Sequence, residues 1–330
     1  MAARDLSRPR VVVVGASAGG VEALTAFVAG LPADLPAAVL VVLHVPADGR
    51  SRLAAILDRA GPLPVAIAGG GEPLRPGTVL TAPADSHLLV HADHVVVQHG
   101  PKENGHRPAA DPLFRSAARW AGPHVVGVVL SGVLDDGAAG AAAVALRGGS
   151  VVVQDPEDAL FPGMPRAARA AVPEAVLARA ADVGALLPGL LAATDGAASA
   201  APHPDLVLET DMAEMDEGAV SGTESPGTQV AVSCPECHGA MTQVRTGQAV
   251  HFRCHVGHAF GPASLLDAQQ RASEAAMWTA VASLEERASV HRQLAELVAD
   301  GPADEHRLAA DGIAEQARAI RLQLRARSRT

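Results

Sequence analysis

The chain has 330 residues, of which 48% are hydrophobic and only 2% aromatic, and its formal net charge is -10 at pH 7. The length allows one large domain and a smaller one. A core this short of aromatic side chains must be built from Val, Leu and Ala, which favours a helix-covered parallel sheet over a sandwich or a barrel. The excess of acidic residues argues against nucleic acid or anionic lipid as a partner.

The distribution of apolar residues also argues against a membrane-spanning segment. No apolar stretch approaches about 18 residues. The start of the chain runs into a strand-like segment without a cleavable apolar region. We therefore expect a cytoplasmic protein with no membrane insertion.

From Arg10 to about Leu191, short Val-rich runs alternate with Ala- and Leu-rich amphipathic segments, which is the pattern of repeated βα units. The predicted strands cover residues 11–14, 39–43, 79–81, 125–130 and 151–154, and the predicted helices start near Gly20, Arg50, Asp111, Gly137 and Gly163. A short hairpin is predicted at residues 88–98. Residues 1–191 are thus predicted to form an α/β domain with a doubly wound, mostly parallel sheet in a Rossmann-like arrangement of three layers.

Three of the predicted strands are each followed by a polar residue of a type used in hydrolysis: Ser17, His44 and Asp136. Since the carboxyl ends of parallel strands meet at one edge of a sheet, these residues can converge although they are far apart in sequence. Together they offer a nucleophile, a general base and a carboxylate that orients the base. The sequence thus predicts a serine hydrolase. Asp135 competes with Asp136 for the third position, and either acid could instead cap the next helix.

The turn after the first strand, G-A-S-A-G-G at residues 15–20, leaves backbone N–H groups at a helix N-terminus. Such groups can hold an anion, so a phosphate or dinucleotide site is the alternative, although Ser17 stands where the dinucleotide fingerprint needs its second glycine. The turn also matches the nucleophile elbow G-x-S-x-G. In α/β-hydrolases, however, the acid precedes the histidine along the chain, whereas here His44 precedes Asp136.

Residues 192–229 are rich in Ala, Gly, Ser, Pro and acids, which predicts an acidic, flexible linker. Residues 262–330 carry apolar residues at helical spacing, and Asp300-Gly301-Pro302 divides this pattern into two helices. We expect this helical hairpin with its basic tail to dock partner helices or to dimerise, although the same apolar stripe could be the hairpin's own core.

Between these segments, residues 230–261 contain a cluster of metal-ligand types. All three cysteines of the chain lie here, the first two as a C-x2-C pair: Cys234, Cys237 and Cys254. Zn2+ prefers four N or S ligands in a tetrahedron. We predict a zinc-ribbon-like module with a structural Zn2+, for which His258 is the fourth ligand and His255 its competitor. Three free thiols are the alternative.

A series of motifs in residues 10–191 resembles the catalytic domain of CheB-type protein-glutamate methylesterases of bacterial chemotaxis. The motifs are G-A-S-A-G-G at 15–20, L-H-V-P at 43–46, A-P-A-D-S-H-L at 82–88, H-R-P-A-A-D at 106–111, D-D-G-A-A-G at 135–140 and F-P-G-M-P-R at 161–166. The resemblance implies hydrolysis of γ-glutamyl methyl esters on chemoreceptors, with deamidation of receptor glutamine in some members. It implies an enzyme that needs no cofactor for catalysis.

The resemblance also assigns roles to residues. Ser17 matches the nucleophile, His44 the base, and Asp136 rather than Asp135 the third member, and the reaction would pass through an acyl-enzyme. The N–H groups at the start of the following helix are expected to stabilise the oxyanion, and they belong to Ala18, Gly19 and Gly20. The chain departs from the family at Ala18, where a hydroxyl residue is usual, and at Val133-Leu134, where Met-Gly is usual.

Partners follow from the same resemblance. We expect methylated chemoreceptor or receptor-like helices as substrates, with other signalling proteins bound through the C-terminal hairpin. No receiver domain precedes the first strand, so control by phosphorylation of the chain itself is not expected. The alternative is a catalytically weakened scaffold that binds signalling proteins through its cleft and its zinc module.

Overall fold

The core of the protein is a parallel sheet of seven strands. The computed structural model describes residues 9–47, 52–193, 201–216, 225–298 and 301–327. The first nine strands are β1 (Val11–Ala16), β2 (Ala38–Leu43), β3 (Val65–Ile67), β4 (Val79–Thr81), β5 (His87–His91), β6 (His94–Gln98), β7 (Val125–Val129), β8 (Ser150–Gln154) and β9 (Val176–Ala178). Seven of them form one sheet in the order β3-β4-β2-β1-β7-β8-β9, and each neighbouring pair is parallel. The predicted fold class is confirmed.

Helices cover both faces of this sheet. They are α1 (Gly20–Ala29), α2 (Leu53–Ala60), α3 (Ala110–Ala121), α4 (Ala138–Leu146), α5 (Gly163–Ala171) and α6 (Val183–Ala193). Because successive side chains of a strand point to opposite faces, Val11 and Val13 of β1 enter one buried cluster and Val12 and Val14 enter the other. The first cluster includes residues of α3, α4 and α5, and the second residues of α1, α2 and α6. Burial on both faces explains the continuous Val runs.

Short elements account for most differences from the predicted boundaries. The edge strands β3 and β9 have three residues each and were not predicted. The hairpin of β5 and β6 lies where it was expected. The second helix begins at Leu53, and its predicted start at Arg50 lies outside the described residues.

A helix occupies part of the predicted linker. Residues Pro204–Ala213 form α7, and its side chains of Leu206, Glu209 and Met212 are buried. The prediction of a flexible linker over 192–229 therefore does not hold for this helix, while residues 194–200 and 217–224 lie outside the described residues. Composition misled here because α7 also makes polar contacts with distant residues, such as Arg119 donating to Thr210 Oγ1 at 2.6 Å, which a local apolar pattern does not record.

A second, antiparallel sheet follows α7. Its strands, in spatial order, are β10 (Thr228–Ser233), β11 (Ala240–Thr246), β12 (Ala249–Cys254) and β13 (Ala259–Phe260). The chain divides into two compact units, residues 1–265 and 266–330. The C-terminal sheet, as we call β10 to β13, thus shares a unit with the parallel sheet, whereas the sequence predicted separate modules. Buried ion pairs, such as that of 2.8 Å between Arg253 of β12 and Glu103, join the C-terminal sheet to the domain of the parallel sheet.

The expected helical hairpin is present near the C-terminus as α8 (Pro262–Leu297) and α9 (Gly301–Arg327). The two helices contact each other through a salt bridge of 2.7 Å between Arg321 and Glu285. Buried small and apolar side chains recur along both helices: Val281, Ala288, Ala310, Ile313, Ala317 and Leu324. Of the predicted break, Asp300 lies outside the described residues. No described helix is both long and apolar enough to cross a membrane.

Candidate active site

Three neighbouring strands of the parallel sheet bring the predicted triad together. Ser17 follows β1, His44 follows β2 and Asp136 lies in the loop between β7 and α4, and β1 is the strand between β2 and β7. The Oγ atom of Ser17 is 3.0 Å from Nδ1 of His44, and Nε2 of His44 is 2.7 Å from Oδ2 of Asp136. Both contacts are within hydrogen-bond distance. The hydroxyl of Ser17, the imidazole of His44 and the carboxylate of Asp136 thus form one continuous chain of hydrogen bonds.

The orientation of the imidazole defines what each nitrogen can do. Nε2 faces a carboxylate, which accepts hydrogen bonds, so this nitrogen carries the proton in the neutral ring. Nδ1 then has a free lone pair directed at the hydroxyl of Ser17. The two nitrogens have exchanged positions relative to the serine-protease arrangement, but the ring still joins an acceptor for the serine proton to a donor for the carboxylate.

Asp136 is buried, and the loops around it supply hydrogen-bond donors. Its side chain is 2% exposed. Besides His44, its donors are Ala110 N at 2.6 Å, Asn104 Nδ2 at 2.9 Å, Gly137 N at 2.9 Å and Asp111 N at 3.1 Å. Burial by itself would raise the pKa of Asp136, but the hydrogen bonds and charge of His44 and the backbone donors outweigh it and hold the pKa well below its usual range. The group is therefore a carboxylate at neutral pH.

The two adjacent acids of the loop have different partners. Asp135 accepts hydrogen bonds from Ala263 N at 2.7 Å and from Ser264 N at 3.0 Å, and the Ser264 hydroxyl also donates to it. It therefore caps the first turn of α8. Helix α4, which either acid could have capped, begins at Ala138 with Gly137 as its N-cap and has no side-chain cap. Geometry thus directs Asp136 to the imidazole and Asp135 to α8.

The glycine turn at Ser17 is tight. Gly19 has a φ of 67°, in the left-handed region that favours glycine. A Cβ atom there would lie 2.8 Å from Ser131 Oγ and 2.9 Å from Leu160 Cβ. The N–H group of Gly20 donates to Ser17 O at 2.8 Å, so it is engaged within the turn. Of the three amides expected to stabilise an oxyanion, those of Ala18 and Gly19 remain candidates.

The loop from β7 approaches Ser17 closely. Ser17 N donates to Ser131 O at 2.9 Å. A Cβ atom on Gly132 would lie 3.0 Å from the Cβ of Ser17 and 2.0 Å from the sulfur of Met164, so a larger residue here would displace Met164. The F-P-G-M-P-R segment is joined to the same loop by a hydrogen bond of 2.9 Å from Met164 N to Gly132 O.

Three apolar side chains at this edge are exposed. They are Val133 at 43%, Leu160 at 68% and Phe161 at 40%. Leu160 and Phe161 adjoin the glycine turn, since both would contact a Cβ atom on Gly19. We call these three residues the apolar rim. Exposed apolar residues grouped beside Ser17 form a surface on which an apolar part of a ligand can pack.

The sequence analysis missed two side chains that contact the triad. His106 stacks on His44, with ring centroids 3.8 Å apart and planes inclined by 15°, and so restricts the plane of the His44 ring. Asn104 donates its amide to Asp136 and also to Asp111, each at 2.9 Å. His106 begins the H-R-P-A-A-D motif and Asn104 precedes it by two residues. That proximity was the available signal, but no spacing rule assigns either residue to a strand end.

The predicted metal ligands cluster in the C-terminal sheet. One donor atom from each of Cys234, Cys237, Cys254 and His258 lies within 4.8 Å of the others. Cys254 Sγ is 3.6 Å from Cys237 Sγ and 3.6 Å from His258 Nδ1. Ligands at about 2.3 Å from one tetrahedral ion are separated by roughly such distances. Three sulfurs and one imidazole nitrogen match the donor set of a structural zinc site, with His258 rather than His255 in the group.

Comparisons with known proteins concern the part of the chain that forms the parallel sheet. Residues 12–187 match the family model described as CheB methylesterase. The chain is 46% identical over 177 residues to a protein of Anaeromyxobacter dehalogenans named protein-glutamate methylesterase/protein-glutamine glutaminase 3, covering 53% of this chain and 52% of that protein. It is 43% identical over 172 residues to a Caulobacter vibrioides protein of the same name, numbered 2, covering 50% of each chain.

A solved structure is also similar. The crystal structure of the Thermotoga maritima CheB methylesterase catalytic domain superimposes with a TM-score of 0.52 at 33% sequence identity, and the match covers 55% of this chain and 98% of that one. The present chain spans about half the length of the curated relatives it matches. Neither the C-terminal sheet nor the helical hairpin lies in the residues that the family model covers.

Proposed function

Because this chain belongs to the CheB methylesterase family, we propose that it hydrolyses γ-glutamyl methyl esters on chemoreceptor or receptor-like helices and releases methanol. The observation that carries the proposal is the continuous contact from Ser17 through His44 to Asp136. The names of the relatives support the substrate class. A scaffold that had lost catalysis would have no need to keep the imidazole oriented by a buried carboxylate.

The reaction follows from the geometry. His44 Nδ1 accepts the proton of Ser17 as Oγ attacks the ester carbonyl carbon, and the resulting imidazolium gives that proton to the departing methoxide, so methanol leaves. A glutamyl ester of Ser17 remains. Water then attacks this acyl-enzyme with His44 again as the base, and cleavage restores the serine hydroxyl and frees the glutamate side chain.

Three neighbouring groups assist these steps. Asp136 holds the Nε2 proton and stabilises the imidazolium, since its carboxylate is charged and 2.7 Å away. His106 stacks on the ring and limits its rotation. The amides of Ala18 and Gly19 donate to the oxyanion of the tetrahedral intermediates. One such donor typically contributes about 3 kcal/mol to catalysis.

We further propose glutamine deamidation as a second reaction of the same site. The names of the relatives include protein-glutamine glutaminase. Attack of Ser17 on a glutamine side chain would give the same acyl-enzyme, with ammonia in place of methanol as the leaving group. The balance between the two reactions depends on how well His44 protonates the poorer leaving group.

Zn2+ is proposed as a structural ion in the C-terminal sheet. Cys234, Cys237, Cys254 and His258 would hold it, because one donor atom of each lies within 4.8 Å of the others and structural zinc prefers four N or S ligands. The ion would supply cross-linking of the loops that carry these ligands. Catalysis itself needs no cofactor, because the serine, imidazole and carboxylate carry out every proton transfer above.

The function is tested by incubating methylated receptors with the protein and following methanol release and receptor mass together. We expect demethylated glutamate in the receptor peptides with the wild type and none with Ser17→Ala. A serine-reactive phosphonate should label Ser17. If the receptors kept their methyl groups and Ser17 did not react, the proposed function would be wrong.

A further inference from the structure

We propose that the C-terminal sheet helps to position the active site. Asn104 is the positioning residue through which this sheet orients the carboxylate of Asp136. The inference rests on the proposed function for its role in catalysis. Its structural basis is a set of hydrogen bonds between segments that are 157 residues apart in sequence. The partner segment, around Gly261, lies outside the residues that the family model covers.

The side chain of Asn104 is buried, and each of its polar atoms has a defined partner. Its Oδ1 accepts a hydrogen bond of 2.7 Å from Gly261 N. Its Nδ2 donates one hydrogen to Asp136 Oδ1 and the other to Asp111 Oδ2, both at 2.9 Å. An amide that turned over would place its oxygen against both carboxyl groups. The N–H group of Gly261 therefore determines which way the amide of Asn104 faces.

The backbone of Asn104 is held by the same sheet. Asn104 has a φ of 53°, a left-handed conformation that asparagine tolerates better than most residues. Its N–H group donates to Ala259 O of β13 at 2.7 Å. Ala259 directly follows His258, the fourth member of the metal-ligand group. The end of the C-terminal sheet thus fixes both the main chain and the side chain of Asn104.

Gly261 cannot be replaced without disturbing the loop of Asp136. A Cβ atom at Gly261 would lie 2.4 Å from Asp135 Oδ2. The carboxylate of Asp135 in turn accepts hydrogen bonds from the N–H groups of Ala263 and Ser264. Both acids of the D-D-G loop are therefore held by the segment that follows β13, Asp135 directly and Asp136 through Asn104.

Buried ion pairs hold the C-terminal sheet against the loop that carries Asn104. We call the group formed by five side chains, each at most 2% exposed, the buried charge cluster: Glu103, Arg115, Glu209, His251 and Arg253. Arg253 donates to Glu103 at 2.8 Å and to Glu209 at 3.1 Å, and Arg115 donates to Glu103 at 2.5 Å. Glu103 precedes Asn104 in the chain, so the cluster anchors the loop on which Asn104 stands.

The consequence for catalysis is electrostatic as well as steric. A donor on Asp136 Oδ1 keeps Oδ2 directed at His44 and draws charge away from it. Loss of this donor would leave a more basic carboxylate beside the imidazole, which favours the imidazolium form of His44. The other titratable groups around the pair are Asp111 on α3, His87 on β5, His106 stacked on His44, and Asp135.

The test compares Asn104→Asp, Asn104→Gly and the control Gln229→Glu. Asn104→Asp keeps an acceptor for Gly261 N but loses the donors to both acids, and Asn104→Gly suits the positive φ while removing the side chain. Gln229→Glu makes the same amide-to-acid change at an exposed position of β10. For both Asn104 variants we expect a fall in kcat of about 10- to 100-fold with KM changed less than about threefold, and for the control no change.

The deciding measurement is the titration of His44, followed by histidine NMR and by the pH dependence of Ser17 labelling with a phosphonate. In Asn104→Asp, and in Asn104→Gly, which adds no charge, we expect the midpoint to move to higher pH. A fold that is merely loosened would lower the amount of active protein without moving this midpoint, and an unmoved midpoint in both variants would overturn the proposal. Neither readout requires the receptor. A wild type inactive on receptors, with a midpoint that still moved in Asn104→Asp, would reject only the proposed function.

Discussion

Asp135 and Asp136 are adjacent in sequence, yet their carboxylates serve two different parts of the molecule. Asp136 Oδ2 lies 2.7 Å from Nε2 of His44. Asp135 Oδ1 instead accepts a hydrogen bond of 3.0 Å from the N–H group of Ser264, at the start of α8. Two adjacent residues of the loop after β7 therefore contact different segments: Asp136 contacts His44 of the candidate triad, and Asp135 contacts the start of α8.

This division of roles predicts opposite effects for two conservative substitutions. Asp136→Asn should lower kcat by about four orders of magnitude, because an amide cannot hold the imidazole in the required protonation state. Asp135→Asn should leave kcat within a few-fold of the wild type and lower the free energy of unfolding by about 1 kcal/mol, as expected for a weakened cap. Steady-state methanol release and urea unfolding measure the two effects. Equal losses of activity in both variants would contradict the assignment.

The metal-ligand group predicts a difference between two nearby histidines. His258→Ala should remove bound zinc, because His258 Nδ1 lies with the three sulfurs, while His255→Ala should retain it. Metal content per chain, measured by elemental analysis, decides between them. We also expect the zinc-depleted protein to melt at a lower temperature and to react more slowly with the phosphonate at Ser17, since the strand that follows His258 contacts Asn104. If the two variants bound the same amount of zinc per chain, the assignment of His258 as the fourth ligand would be wrong.

The buried charge cluster predicts how stability depends on pH. Burial by itself would raise the pKa of Glu209, but the charges of His251, Arg115 and Arg253 outweigh it and lower the pKa from its usual value of 4.5. A carboxyl group with a lowered folded pKa stabilises the protein above its unfolded pKa, and this contribution is lost as pH falls below about 4.5.

Glu209→Gln should therefore destabilise the protein by about 3–5 kcal/mol at pH 7, because the partner charges stay buried without their counterpart. The difference between the wild type and this variant should shrink as the pH falls from 5 to 3. Urea unfolding across this range tests the sign. A difference that grew toward low pH would exclude the charged form of Glu209 as the stabilising species.

The apolar rim predicts a defect specific to receptor substrates. Leu160→Ser should lower kcat/KM for methylated receptor by roughly tenfold, as expected when an exposed apolar contact residue is truncated, but should leave hydrolysis of a small activated ester unchanged. Leu146→Ser is a suitable control, because Leu146 is similarly exposed, at 63% against 68%, but lies at the end of α4. Loss of both activities in Leu160→Ser would indicate a disturbed glycine turn instead of a docking surface.

Much of the fold could be predicted because its signals are local. Continuous Val runs indicate strands buried on both faces, and G-A-S-A-G-G predicts the tight turn in which Gly19 adopts a φ of 67°. The C-x2-C pair and the following Cys and His define a ligand spacing. Helix α7 could not be predicted from composition, because the partners of Glu209, Arg253 and His251, are more than 40 residues distant in sequence.

The sequence by itself determined the parallel α/β architecture, the strand ends that carry Ser17 and His44, and the set of candidate metal ligands. Each depends on residue type and spacing within one short segment. Only the tertiary structure decided which adjacent acid faces the imidazole, that Gly20 is engaged within its own turn, and that Asn104 joins the C-terminal sheet to Asp136. Those depend on the direction of side chains and on contacts between distant segments, neither of which a linear pattern records.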